Sequence, residues 1–270
     1  MPRSEGLPEF GRPPINEVVL GVQFNQSPSY NLIVAAEVYR KYRDRYPMIQ
    51  EQAPLAPVFE TFGGAPSGNQ FSFELMSRPD HPRFWFLEPT GHELIQFQGN
   101  RFLHNWRQHD HEEVPYPRYE TLRARFADEL EELQSVFLSE GLGKLSVNQA
   151  EVSYYNRIYG DSTVEFPRPD HWLKFLNFGE REPESFNGVY REIVRGAEKQ
   201  PLARLHCEVN SAVDSLGRRM ILLTLTVRGA PKGDGVTEAI DFLDMGSDII
   251  VSTFAKITTE VAHSSWQRNQ

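Results

Sequence analysis

The strongest constraint on this fold is that one succession of elements is spelled nearly twice along the chain. Residues 17–24, EVVLGVQF, are β-branched and partly alternating, the pattern of a strand. Residues 30–46, YNLIVAAEVYRKYRDRY, change to helical spacing, with Leu32, Ala36, Tyr39 and Tyr42 on one side and Glu37, Arg40, Lys41 and Asp44 opposite. The basic run Arg40, Lys41, Arg43 and Arg45 reads as the solvated face of that helix. A turn-rich connector, APLAPVFETFGGAPSGNQ, leads into four segments of strand character: FSFELM, RFWFLEP, HELIQFQG and NRFLHNWR. Tight turns at EPTGHE and QGNR join the last three as antiparallel hairpins. A helix over 116–140 closes the series, with Leu122, Phe126, Leu130, Leu133 and Phe137 as its stripe and Gly141 and Gly143 at its end.

The second half begins again. LSVNQAEVSYYNRIY (145–159) reads as a long strand and HWLKFLNF (171–178) as a short helix or turn. Three strands follow, FNGVYREIVRG, ARLHCEVNSAV and RRMILLTLTVRG, the last apolar enough to be buried in part on both faces. Residues 236–256 form the second long helix, striped by Ile240, Leu243, Ile250, Phe254 and Ile257, and TTEVAHSSW adds a final turn. Hairpins with helices gathered on one face make an α+β layer. The expectation is a curved antiparallel sheet of two pseudo-repeated halves, residues 1–143 and 144–270, joined into one continuous sheet with the long helices on one side. That arrangement resembles the saddle of the TATA-binding protein or a pair of helix-grip folds, a likeness of form that carries no function. The Pro- and Gly-rich residues 1–14 are expected along the surface.

Composition narrows the partners. The net charge of −9 and pI near 5.4 disfavour a broad phosphate-binding surface, so nucleic acid is not the expected partner. No apolar run approaches the roughly 20 residues of a membrane helix, and the first residues lack a signal peptide's hydrophobic stretch. The lone Cys207 has no second cysteine to pair with, which fits a reducing cytoplasm, and in ARLHCEVN it reads as a small core hydrophobe.

PPINEVVLGVQF (13–24), PYPRYETL (115–122), VSYYNRI (152–158) and FAKITTEV (254–261), taken in order, resemble a sporadically distributed family of uncharacterised prokaryotic proteins. PPINEVVLGVQF (13–24) is similar to its Pro-Ile-x-Glu opening strand, and PYPRYETL (115–122) to its entry into the middle helix, with Tyr119 replacing the usual aromatic. VSYYNRI (152–158) resembles its Tyr-x-Asn-Arg-Ile strand and FAKITTEV (254–261) its Phe-x-x-Ile-Thr ending. The likeness spans nearly the whole chain. It implies an accessory or defence-type operon, and it brings no catalytic residues.

Candidate sites come from residue chemistry. His109 and His111 bracket Asp110 ahead of Glu112 and Glu113, a cluster able to hold a metal only if a third, distant ligand joins it. No HExxH or CxxC motif supplies one, so the cluster reads as a polar loop whose acids sit near the positive end of the next helix. Glu17 and Arg157 lie on the first strand of each half. If those strands meet at the centre of the sheet, the two charges need each other, with Tyr155 and Asn156 completing their hydrogen bonds; the alternative is that Glu17, Tyr155, Asn156 and Arg157 bind a ligand or partner. Trp85 and Trp106 are candidates for an aromatic contact surface. The glycine loops FGGAPSGNQ and APKGDG do not open helices after strands, no GxSxG elbow is present, and no motif requires a cofactor. The expected role is a non-catalytic protein-interaction subunit whose curved sheet binds another protein, possibly operon-encoded, or a second copy of the chain. The alternative is a small-ligand-binding or hydrolytic helix-grip protein with a pocket between sheet and helices.

Overall fold

The computed structural model describes residues 6–63, 81–109, 114–160 and 165–269. Its strands are β1 (Ile15–Phe24), β2 (Met48–Gln52), β3 (Arg83–Leu87), β4 (Glu93–Gln98), β5 (Arg101–Arg107), β6 (Val147–Tyr159), β7 (Asn187–Arg195), β8 (Pro201–Val213) and β9 (Arg219–Gly229). Its helices are α1 (Leu32–Tyr42), α2 (Tyr119–Ser139), α3 (Pro169–Trp172), α4 (Val236–Ile257) and α5 (Glu260–Ser265). The strands form one open nine-stranded sheet in the order β2-β3-β4-β5-β1-β6-β9-β8-β7, antiparallel throughout. The chain is therefore an α+β protein with a single large antiparallel sheet.

The two first strands meet at its centre. β1 pairs with β6 so that Glu17 faces Tyr155 and Leu20 faces Val152, with a register shift at Asn16. Alternation then divides the sheet into two faces. Val18, Leu20, Val22 and Phe24 of β1 point to the same side as Ile221, Leu223, Leu225 and Val227 of β9, and all are buried. On this face α4 lies across β6 and β9, α2 packs against α4, and α1 packs against α2. The stripe of α2 expected from its spacing, Leu122, Phe126, Leu130, Leu133 and Phe137, is buried in full. Phe126 stacks on Phe102 of β5 at 6.0 Å between ring centres.

Several expectations are corrected. In α1 the buried residues are Val34, Ala35, Val38 and Tyr42, while Leu32 and Ala36 face water. Asn31 caps the helix by accepting from the Ile33 and Val34 amides, so the helix starts at Leu32, and packing against α2 and the core selects the buried face. The five residues of β2 are almost wholly exposed at the sheet's edge, where no apolar alternation marks them as a strand. The short helix or turn read over 171–178 is the end of α3 and the turn after it, and the helix begins earlier than expected, at Pro169, a first-turn position that needs no backbone N–H. Phe10 does not stay at the surface: it bridges Arg268 and packs edge-on against Phe254. The segment FSFELM lies outside the described residues.

Candidate functional site

The face of the sheet opposite the helices is polar. Cross-strand pairing places Glu17, Asn105, Arg107, Tyr155 and Arg157 towards one end of its strands, and Gln23, Arg101, Gln149, Glu151, Arg204, His206 and Arg228 towards the other. The second group is crossed by residues 53–62, an extended strap with no regular secondary structure.

Side chains of the sheet hold the strap by its backbone. Gln98 accepts from the Leu55 amide at 2.8 Å and donates to the Leu55 carbonyl at 3.0 Å. Gln23 accepts from the Val58 amide at 2.9 Å and Gln149 from the Glu60 amide at 3.4 Å. Arginines donate to the strap's carbonyls: Arg83 to Ala53, Arg101 to Ala56 and Arg204 to Thr61. The Glu60 side chain is only 4% exposed, bonded to Arg204 and to His206 Nε2 at 2.7 Å, with Arg228 at 3.7 Å. Burial alone would raise this carboxyl; the His206 hydrogen bond and the charges of His206, Arg204 and Arg228 outweigh it and hold Glu60 below the usual carboxylate range.

At the other end a hydrogen-bond chain runs along the same face, where Gln96 and Asn105 are buried. Arg83 donates to Gln96 at 2.5 Å, Gln96 to Asn105 at 2.8 Å, and Asn105 to the Glu17 carboxylate at 2.6 Å. Burial pushes Glu17 up from the usual carboxylate value, and the Asn105 bond with the charges of Arg107 and Arg157 offsets only part of that. Tyr155 is pushed up to about 12 by burial, aided by Glu17, Glu151 and Glu208. Trp85 lies between two guanidinium groups, Arg83 and Arg107, each 5.6 Å from its ring centre. Its indole N–H is buried with no hydrogen-bond partner among the described residues.

The site residues expected from sequence are thus divided by the sheet. Glu17, Tyr155, Arg157 and Trp85 belong to the face opposite the helices, where all four are partly buried. Asn156 lies on the helix face, buried and donating to the Leu223 carbonyl at 3.1 Å, so it cannot complete the hydrogen bonds of a neighbour that points the other way. Trp106 is also on the helix face, 2% exposed and 5.3 Å from the Tyr116 ring, and is core packing. The partner of Glu17 that sequence reasoning missed is Asn105 on the neighbouring strand β5, 88 residues away in the chain and marked by no local motif. The His109 ring lies 4.8 Å from that of His92, tilted by 48°, while His111 and the acids beside it lie outside the described residues. Among the described residues no three His, Cys, Asp or Glu side chains come together as a metal site. Cys207 is buried, and burial pushes its thiol up to about 11, as suits a core residue.

Two further features come only from the fold. A cleft of about 700 Å³ opens beside α2 and α4, lined by apolar Leu202, Phe242, Met245 and Ile249, by the acids Glu120, Glu238, Asp241 and Asp248, and by one lysine, Lys232. Within it, Asp244 accepts from the Tyr119 hydroxyl at 2.8 Å and from Arg123 at 3.1 and 3.0 Å. Inside the core, His104 Nδ1 meets Glu129 Oε2 at 2.9 Å and the Tyr46 hydroxyl donates to Glu129 Oε1 at 2.6 Å. The outward glutamines and arginines near one end of the strands were the available signal for the strap's seat. Among the described residues no helix is long and apolar enough to cross a membrane. Compared with known proteins, the chain matches no family model, no curated protein and no solved structure.

Proposed function

We propose that the protein is a non-catalytic interaction subunit whose partner protein inserts a basic amphipathic segment into the cleft beside α2 and α4. The cleft carries this reading. Its apolar floor is large enough for the anchoring side chains of a helix, and its acidic edge selects a cationic segment on a chain whose net charge is −9. The strand order supports reading the sheet as two successive units, with β5, β4 and β3 running outward from β1 as β9, β8 and β7 run outward from β6. The resemblance to a prokaryotic accessory or defence-type family directs the search for the partner to neighbouring genes.

Co-expression with each neighbouring gene product tests it. One product should co-purify with the wild type, and Met245→Glu, which puts a charge on the cleft floor, should abolish that capture. Asp241→Lys should weaken it and flatten its salt dependence. Retention of the partner by both variants overturns the reading.

A further inference from the structure

Residues 53–62 are held against the sheet in the way an extended peptide ligand is held. Peptide grooves grip the backbone of their ligand with side-chain amides and reserve a pocket for one chosen side chain. Here Gln98 takes both the N–H and the C=O of Leu55, while Gln23 and Gln149 take the amides of Val58 and Glu60. Pro54 and Pro57 lack an N–H and favour extended backbone, so the strap is pre-set for this mode of binding and unsuited to joining the sheet as a strand.

The side chains of the strap are distributed as a ligand's would be. A connecting loop ordinarily turns apolar groups inward and charges outward. In this strap Val58 and Phe59 are 39% and 54% exposed, whereas Glu60 is the side chain driven deep among Arg204, His206 and Arg228. Arg101, which holds Ala56, and Arg83, which holds Ala53, extend the cationic surface along the groove. Such a concentration of arginine on an acidic protein complements an anionic ligand.

We infer that this face is a peptide-binding groove for an extended, glutamate-bearing segment of a partner protein, occupied in the free protein by residues 53–62 as an internal ligand. The groove lies on the opposite side of the sheet from the α2–α4 cleft and does not rest on the function proposed for it. A tethered ligand competes at high effective concentration, so an external segment gains the groove when the internal one is weakened.

The test uses the full chain and a labelled synthetic peptide of sequence APLAPVFETF, residues 53–62. Glu60→Ala should bind it at least about ten-fold more tightly than the wild type does, because the internal competitor loses its anchor. The same peptide with glutamine for glutamate should bind Glu60→Ala at least about ten-fold more weakly, and adding Gln98→Ala should weaken the original peptide as well. Equal binding of the peptide by Glu60→Ala and wild type, or of the two peptides by Glu60→Ala, overturns the inference. If Glu60→Ala does not fold, native-state hydrogen exchange of the wild type decides. The Leu55, Val58 and Glu60 amides should exchange through an opening that leaves β1 protected, and protection equal to that of β1 overturns it.

Discussion

His104 and Glu129 join β5 to α2 through a pair of side chains with no solvent exposure, Nδ1 lying 2.9 Å from Oε2. The Tyr46 hydroxyl fills the other carboxylate oxygen, and the Tyr42 hydroxyl caps the Glu129 carbonyl at 2.6 Å. Removing one member leaves the other buried and uncompensated. Glu129→Leu should therefore cost about 3–5 kcal/mol in urea denaturation, and His104→Leu combined with it should recover much of the loss. Burial would lower His104, but the charge of Glu129 and its hydrogen bond prevail and raise it above the usual histidine value. A raised folded-state value means that the contribution is fully present below the unfolded value and is lost as pH rises through the folded one. Wild-type stability should carry a component, absent from His104→Leu, that declines as pH rises above the usual histidine value; identical pH profiles of the two proteins would refute this coupling.

How much of this was legible in sequence depends on the range of the interaction. The stripe Leu122, Phe126, Leu130, Leu133 and Phe137 was readable because one face of α2 is wholly buried, so its period is unbroken. In α1, exposed Leu32 and Ile33 interrupt the pattern, and the buried set is fixed by contact with α2 and the core. The central meeting of β1 and β6 followed from element order. The grouping of Asn156 with Tyr155 failed on strand alternation, a rule already present in the sequence. Glu60 carries no local sign of its role. Its three basic neighbours come from β8 and β9, 144 to 146 residues away for Arg204 and His206, and only the folded sheet brings them to it.

Glu17 separates the cost of a buried charge from the value of a hydrogen bond. Its raised carboxyl shows that burial outweighs the Asn105 bond and the attraction of Arg107 and Arg157. For a carboxyl raised in the folded state the ionised form opposes folding above the folded value, and the opposition is relieved as pH falls through it. Glu17→Gln keeps an acceptor for Asn105 and removes the charge, so at neutral pH it should be at least as stable as wild type. Glu17→Ala takes the acceptor away from a buried amide and should cost about 1–3 kcal/mol. A Gln variant less stable than the Ala variant in chemical denaturation would reverse this account.

Gly246 sets how closely α4 lies on the sheet. A glycine inside an exposed helix is destabilising by roughly 1 kcal/mol against alanine, so propensity alone predicts that Gly246→Ala stabilises the protein. The packing predicts the opposite. A Cβ at this position would stand 2.6 Å from Val152 Cγ1 and 3.4 Å from the Val227 side chain, both rooted in central strands that cannot move aside independently. Lifting α4 to make room would also stretch the neighbouring bond between the Tyr154 hydroxyl and Ser247 Oγ, now 2.9 Å within the core. Overpacking of this kind costs about 1–3 kcal/mol, enough to exceed the propensity gain. Gly246→Ala should lower the denaturation midpoint, and Val152→Ala in the same chain should restore part of the loss by removing the clashing methyl groups. A stabilised Gly246→Ala protein would mean that α4 rides higher on β6 and β9 than these distances require.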